Sequence, residues 1–293
     1  MTIQLRGMRA EDVEPCGRIC YEAFRGIADR HNFRRDFPSP EMAIGLMQHL
    51  LENPAVFNVV AESEGEVIGS NHLQEHDAIA AVGPITVDPN AQAKGAGRML
   101  MHAVIERGKT DAGGKTRPGI RLLQDSFNMA SLSLYASLGF DVREPVVLIE
   151  GAPKGEMPPE YEVRAMREDD HDACAELCRS VHGFDRLNEL KHTPPAPHPF
   201  VALRNGRIIA YASAPQFWPL NHGVAEREDD MRALLTGAAN HCAEPLSVIL
   251  PTRQATLFRW CLKNGMKAIK PMTLMSMGEY HEPRGCYLPS VGY

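Results

Sequence analysis

The chain has 293 residues, of which 44% are hydrophobic and 23% are charged, and it carries a formal net charge of −6. This composition is typical of a globular protein, and the length suits one large or two ordinary domains. The acidic balance argues against nucleic acid as the main partner, because a phosphate backbone favours a basic binding face.

Hydropathy and cysteine usage predict where the protein acts. The longest apolar run, residues 78–87, is interrupted by Gly83 and Pro84 and is too short to cross a membrane. The N-terminal residues contain no signal-peptide core. The seven cysteines are scattered without a C-x-x-C pair, which is typical of a reducing compartment. We therefore expect a cytoplasmic protein that binds neither membrane nor nucleic acid.

The first elements are a short strand and a helix that begins near an acidic cap. Cys16 and Cys20 lie one helical turn apart in this helix, and we interpret them as buried small hydrophobic residues rather than metal ligands. Residues 57–69 predict a hairpin that turns at Glu64 and Gly65. The chain shows no His or Cys spacing typical of a metal site, so no metal is expected.

The most informative segment is residues 85–101. A β-branched run stops at Asp88, a loop over residues 92–97 follows, and a helical pattern begins at Arg98. Backbone N–H groups at the start of a helix form a site for anions, and glycines let an anion approach the backbone closely. Lys94 adds positive charge. The segment matches neither the nucleoside-triphosphate loop nor the dinucleotide fingerprint.

A second informative segment follows. Residues 120–124 predict a strand, and the residues that follow predict a helix that ends near Gly139. The helical spacing is carried by Leu132, Leu134, Tyr135 and Leu138.

Together these segments resemble the coenzyme A binding segments of the GNAT superfamily of N-acetyltransferases, which read Q-x-x-G-x-G after V-D-P and N-x-x-[AS]-x-x-L-Y-x-x-x-G-F. The resemblance implies an α/β fold with a mostly antiparallel mixed sheet flanked by helices, and acetyl-CoA as the cosubstrate. It also implies that two neighbouring strands splay apart around the pantetheine arm. The residues implied to contact coenzyme A are Ile85, Thr86, Val87, Gln92, Ala93, Lys94, Gly95, Ala96, Gly97, Arg98, Asn128, Ser131 and Tyr135.

The resemblance also implies roles in catalysis. Tyr135 is the candidate general acid, because a phenol can donate a proton to the leaving thiolate. Outside this motif, the same residue would be interpreted as a core aromatic. A backbone N–H near Val87 would stabilise the oxyanion.

The general base is an open question at this stage. Many relatives carry Glu or His at two strand positions that are occupied here by Ala81 and Gly83, which cannot accept a proton. The candidates on neighbouring segments are His72, Glu75 and Asp125. A structural or solvated role is favoured for each of them, and proton removal through water is a further alternative.

The chain contains two copies of one plan. L-R-G-M-R-A-E-D near the start matches V-R-A-M-R-E-D-D 158 residues later, and a second hairpin is predicted with its turn at Asn205 and Gly206. A stretch rich in Gly and Pro separates the copies. We predict a first, catalytic domain over residues 1–151, a linker over residues 152–160, and a second domain of the same fold over residues 161–293.

The copies differ where the chemistry is expected. The helix that matches the one after the glycine loop begins among four acidic residues, Glu226, Glu228, Asp229 and Asp230. Two unit charges about 4 Å apart repel by about 4 kcal/mol at an effective dielectric constant of about 20, so this helix start disfavours a pyrophosphate. Tyr135 is matched by Cys261. We therefore predict one coenzyme A site, in the first copy.

The resulting expectation is an N-acetyltransferase that moves acetyl from acetyl-CoA to a primary amine of a small or amino-acid-like acceptor. The alternative is a non-catalytic acyl-CoA-binding or sensor protein. Residues 221–230 and 285–293 are candidates for a wall with which the second copy shapes the acceptor cleft. The sequence leaves the acceptor and the oligomeric state undetermined.

Overall fold

The computed structural model describes residues 2–91, 95–191 and 198–292. Within them the strands are β1 (Ile3–Gly7), β2 (Val56–Ser63), β3 (Glu66–Gln74), β4 (Ala80–Val82), β5 (Thr86–Val87), β6 (Gly119–Asp125), β7 (Asp141–Gly151), β8 (Tyr161–Ala165), β9 (Phe200–Arg204), β10 (Arg207–Ala212), β11 (Gly223–Ala225), β12 (Leu246–Pro251), β13 (Lys267–Gly278) and β14 (Cys286–Leu288). The helices are α1 (Val13–Arg30), α2 (Pro40–Glu52), α3 (Ala96–Gly108), α4 (Met129–Ser137), α5 (His171–His182), α6 (Leu187–Lys191), α7 (Glu228–His241) and α8 (Ala255–Lys263).

This is the predicted α/β class, with mostly antiparallel strand pairs and helices between them. None of the helices in the described ranges has the length and apolar character that a membrane span requires. The chain divides into two compact units. Unit one comprises Met1–Leu122 and Phe127–Gly139, and unit two comprises Leu123–Ser126 and Phe140–Tyr293.

The units differ from the predicted domains in two segments. β7 falls in the first predicted domain by sequence, yet it groups with unit two, where it lies between β12 and β13. Residues 123–126, at the end of β6, also group with unit two. Residues 152–160, the predicted linker, contain a turn but no helix or strand. The domain limits themselves stay predictions.

In unit one, β1, β2, β3 and β4 are neighbours in that order. The β2–β3 hairpin turns at the predicted pair, because Glu64 and Gly65 both adopt the positive φ that a tight two-residue hairpin needs, +56° and +84°. α1 and α2 pack on one another so closely that a Cβ on Gly17 would lie 2.5 Å from the Ile44 backbone. Cys16 is fully buried in their shared core, as the sequence predicted.

In unit two, β8, β9, β10, β11 and β14 form one sheet, and β13, β7 and β12 are neighbours in another. The β9–β10 hairpin confirms the second predicted turn, with φ of +53° at Asn205 and +78° at Gly206. α7 lies against β8, where a Cβ on Gly237 would lie 2.3 Å from Val163. This close approach explains a glycine in a helix interior, where the residue otherwise costs stability.

A repeated ion pair confirms the two-copy plan. Arg6 donates to both carboxylate oxygens of Asp12 at 2.6 and 2.9 Å, and Arg164 binds Asp170 in the same way at the same distances. Each carboxylate also accepts a backbone N–H from three residues earlier, at 2.8 Å for Asp12 and 2.7 Å for Asp170. Each pair therefore fixes the start of the first helix in its copy.

This ion pair makes stability depend on pH. The Arg6 guanidinium holds the pKa of Asp12 below its usual value, so the stabilisation is present at neutral pH and is lost as the pH falls through that lowered pKa. We expect Asp12→Asn to lower the free energy of unfolding by about 2 kcal/mol at neutral pH, with the deficit shrinking below about pH 4.

Denaturant unfolding as a function of pH measures this effect. Glu11→Gln is the matched control, because Glu11 is an exposed neighbour whose side chain is 67% accessible, and we expect a change below about 0.5 kcal/mol. A deficit for Asp12→Asn that stays constant down to pH 2 would contradict the assignment.

Candidate functional site

The most distinctive feature of unit one is a strand that leaves its neighbour. β4 pairs in parallel with β6 through Ala80–Ile120 and Ala81–Arg121. β5 follows β4 along the same edge of β3. Among the described strands β5 pairs only with β3, through Thr86 and Val87. The other edge of β5 has no partner among the described strands, and this edge is called the gap below. The resemblance implies that two strands splay apart here, and that splay stays a prediction.

Three elements of unit one meet at this gap. A Cβ added to Gly97, in the first turn of α3, would lie 3.6 Å from Leu134 on α4 and 3.7 Å from Val87 on β5. Both distances are ordinary van der Waals contacts, so a side chain at position 97 would fit but would occupy the space between the strand and α4. The glycine keeps that space open.

The predicted anion loop, residues 92–97, ends in the first turn of α3. Gln92, Ala93 and Lys94 lie outside the described residues. Gly95 caps α3 with φ of +88°, a left-handed conformation that favours glycine. The first turn of α3 contains no acidic residue, so the positive end of this helix carries no opposing charge of its own.

Arg98, a predicted contact of coenzyme A, joins two helices. Its guanidinium donates to Ser137 Oγ at 2.8 Å, and that hydroxyl donates to the Leu134 carbonyl at 2.7 Å. A cation at the last turn of α4 is electrostatically favourable. The contact holds α4 beside the start of α3, and the phosphate role of Arg98 stays a prediction.

The second motif folds as its spacing predicted. β6 covers the predicted strand, and α4 begins directly after Asn128, whose side-chain oxygen accepts from the Ser131 backbone N–H at 3.2 Å. The helix ends before Gly139, which has φ of +98°. Tyr135 is 7% exposed in this helix. Asn128 thus has a helix-capping role, beside which its predicted contact with the pantetheine arm stays a prediction.

The three candidate bases lie in different environments. His72 is fully buried, and this burial lowers the pKa of its imidazole to about 3, so the ring is neutral at physiological pH. Its Nδ1 lies 2.6 Å from Asn58 Oδ1. Glu75 accepts hydrogen bonds from Arg107 at 2.9 Å and from Arg117 at 3.4 Å.

Asp125 belongs to unit two. One of its oxygens lies 2.7 Å from Nζ of Lys270, which is 3% exposed and sits 5.0 Å from the centre of the Trp218 ring. For Glu75 and Asp125 these ion pairs support the structural role that the sequence favoured. Their roles as bases are not tested by the geometry.

The second copy lacks the open loop. β11 and α7 are joined by Glu226 and Arg227 alone. Glu226 is paired with Arg207, and the fully buried Asp230 accepts hydrogen bonds from Arg204 and Tyr161 at 2.9 Å each. The acidic helix start that the sequence predicted is therefore neutralised by arginines within unit two.

The strand edge of the second copy is also covered. β14 pairs with β11, so that Leu288 is the partner of Gly223 and Cys286 the partner of Ala225. Cys261 is the seventh residue of α8, as Tyr135 is the seventh of α4, which confirms the predicted match. Sequence reasoning missed β14, because the strand is short and its partner lies about 60 residues away.

Comparison with known proteins agrees with this geometry. Residues 22–140 match the family model described as "Acetyltransferase (GNAT) family". That part of the chain, which contains both motifs, is similar to the GNAT family. The family uses acetyl-CoA as its acetyl donor.

A mycothiol acetyltransferase of Thermomonospora curvata is 37% identical over 86 residues, which are 28% of this chain and 26% of that protein. The match thus spans about a quarter of the relative's length.

Two solved structures resemble almost the whole chain. A candidate acetyltransferase from Pyrococcus horikoshii superposes with a TM-score of 0.72 at 17% identity, covering 99% of this chain and 96% of the other. A tandem GNAT protein from the clavulanic acid biosynthesis pathway gives 0.59 at 13% identity, covering 94% and 98%. At this identity the likeness concerns the fold, and it agrees with two copies of the GNAT plan.

The ion pairs of Glu75 yield a test of its structural role. We expect Glu75→Gln to lower the free energy of unfolding by about 3 kcal/mol, because Arg117 would be left buried without its counter-charge. Denaturant unfolding measures this change. The control is Glu106→Gln, since Glu106 is 75% exposed and pairs with Lys109, and we expect a loss below about 0.5 kcal/mol. Unchanged stability with a large loss of enzymatic rate would contradict the structural role.

Proposed function

We propose that the protein is an N-acetyltransferase that transfers acetyl from acetyl-CoA to a primary amine of a small-molecule or amino-acid-like acceptor. The observation that carries the proposal is the gap beside β5, which leads to the start of α3, where the first turn contains no acidic residue. The match of residues 22–140 to the family model and the similarity to a mycothiol acetyltransferase support the same reaction. The location of the protein in the cytoplasm stays a prediction that rests on cysteine usage.

The donor would bind along unit one in two parts. The pyrophosphate would lie against residues 92–97, where backbone N–H groups and the positive end of α3 favour an anion. The pantetheine arm would follow β5 through the gap and pass Gly97, whose missing side chain leaves the space between Val87 and Leu134. Ile85, Thr86 and Val87 would supply the strand edge, and Ser131 would face the arm from α4.

The reaction forms a carbon–nitrogen bond and breaks a carbon–sulfur bond. The acceptor amine attacks the thioester carbon, the carbonyl oxygen becomes an oxyanion, and the thiolate of coenzyme A leaves. The Asp88 N–H donates to the Ile68 carbonyl on β3 at 2.8 Å, so the N–H of Val87, one residue earlier, is directed to the opposite edge, towards the gap. This direction suits a donor to the oxyanion.

Tyr135 would protonate the leaving thiolate. Its helix borders the gap through Leu134, and a phenol is a suitable donor to sulfur. The amine would lose its proton to water, because neutral His72 is a weak base and the carboxylates of Glu75 and Asp125 are held by cationic side chains.

The alternative is a protein that binds acyl-CoA without transferring the acyl group. The ion pairs and the buried imidazole at the three candidate bases favour this alternative, whereas Tyr135 beside the gap favours transfer. The release of free coenzyme A in the presence of a panel of primary amines separates the two functions.

Tyr135→Phe tests the proposed acid. We expect the variant to release coenzyme A at least about 10-fold more slowly with a responsive amine, because general acid catalysis contributes about 10²–10⁴-fold, while its affinity for coenzyme A stays within about 3-fold. Initial rates and calorimetric titration measure the two quantities. Tyr161→Phe is a control in unit two. A Tyr135→Phe enzyme with the wild-type rate would remove this residue from the mechanism.

Gly97→Ala tests the route of the pantetheine arm. The added methyl group fits the empty protein but narrows the gap, so we expect about 10-fold weaker binding of coenzyme A, worth about 1.4 kcal/mol, with an unchanged or slightly raised melting temperature. Titration calorimetry and thermal unfolding measure the two effects. Gly45→Ala, at an open position in helix α2, is the matched control and should bind normally. Equal affinity in both variants would exclude this route.

A further inference from the structure

The face of unit one opposite α3 carries a buried polar cluster. On β3, Gly69 faces α3, where its added Cβ would lie 3.3 Å from Leu100. Its neighbour Ser70 therefore faces the other way, and it does so against Cys16 of α1. Thr86 is the cross-strand partner of Ser70, and His72 is two residues further along β3, so all three side chains share the face that α1 covers.

The hydrogen-bonding state of His72 is fixed by its neighbour. The side-chain nitrogen of Asn58 donates to the carbonyls of Leu50 and Val56, both at 3.0 Å, which orients its oxygen towards His72 Nδ1 at 2.6 Å. Because that oxygen can only accept, Nδ1 must carry the proton. Nε2 of the neutral ring is therefore an acceptor with a lone pair.

Each of the three side chains in this cluster has a buried polar atom without a hydrogen-bond partner among the described residues. Neither His72 Nε2 nor Thr86 Oγ1 has a hydrogen-bond partner among the described residues, and the two side chains are 0% and 4% exposed. An unpaired buried polar group costs about 1–3 kcal/mol. Diagonal neighbours in an antiparallel pair lie about 7–8 Å apart at their Cα atoms, which leaves room for one water molecule between a hydroxyl and an imidazole.

We propose that a buried water molecule joins Thr86 Oγ1 to His72 Nε2. The resulting series of hydrogen bonds runs from Thr86 through the water and His72 to Asn58, and it positions β5 for acetyl transfer. The water donates to Nε2 and bonds to the Thr86 hydroxyl, with Ser70 as a third polar neighbour. Asn58 and His72 are positioning residues that act through Thr86. The catalytic consequence of this inference rests on the proposed function. The presence of the water rests on the geometry alone.

The short length of β5 explains why one water can matter. β5 comprises only Thr86 and Val87, and among the described strands it is paired on the β3 side alone. Val87 is the proposed donor to the oxyanion. An anchor on Thr86 therefore fixes the direction of the neighbouring N–H more than it affects the binding of the nucleotide, which lies at the other end of the loop.

The test compares Thr86→Val, which removes the hydroxyl at nearly constant shape, with Thr86→Ser, which keeps it. We expect Thr86→Val to lower kcat about 10-fold while KM for acetyl-CoA stays within about 3-fold, because misalignment of an oxyanion donor affects the transition state more than the bound donor. Thr86→Ser should stay within about 3-fold of wild type in both constants. Thermal unfolding checks that both variants fold.

A crystal structure of the wild-type protein at high resolution tests the water directly. We expect an ordered water within about 3.2 Å of both Thr86 Oγ1 and His72 Nε2, and its loss in Thr86→Val. A dry cluster overturns the inference, as does a Thr86→Val enzyme with wild-type kcat. If the wild-type protein transfers acetyl to no amine, the proposed function fails, and the crystal structure still decides whether the water exists.

Discussion

The edge of β5 that no described strand pairs with is the constraint on which the candidate site depends. β5 stays paired with β3, so alternate N–H and C=O groups of the strand are directed at the gap on its other side. An extended ligand with amide groups suits such an edge, in the same way as an added strand. Such a ligand would also need the anion-binding start of α3 at the end of the gap. Gly97 leaves the space between the strand and α4 free of a side chain.

The two copies show how one plan can keep or lose such a site. Both retain the arginine–aspartate pair that fixes their first helix and the two-residue hairpin turn that follows. The second copy has replaced the long loop by Glu226 and Arg227, and β14 pairs with the edge of β11. The first change removes a loop that a ligand would contact, and the second covers a strand edge that it would contact. The core of unit two is stabilised by buried side chains and ion pairs.

Local features could be predicted from the sequence, whereas long-range pairings could not. The turn at Glu64 and Gly65, the cap at Asp12 and the helix after Asn128 each depend on residues within a few positions of one another. The place of β7 between β12 and β13 depends on partners about 95 to 135 residues away, and no local pattern encodes it.

The candidate site could likewise be predicted only where local motifs define it. The glycine loop and Tyr135 follow from motifs, but the environments of the candidate bases needed the register of β2 against β3 and the positions of distant cations. The pairing of Asn58 with His72, for example, follows from strand register alone. Three residues of the loop, Gln92, Ala93 and Lys94, lie outside the described residues, so their contacts rest on the sequence motif.

Isothermal titration of the 293-residue chain with coenzyme A tests whether the protein has a single coenzyme A site. We expect saturable binding with a stoichiometry of one coenzyme A per chain, since among the described residues only unit one combines the gap beside β5 with a helix start free of acidic residues. Two equivalent sites per chain, or no heat of binding at millimolar coenzyme A, would contradict it.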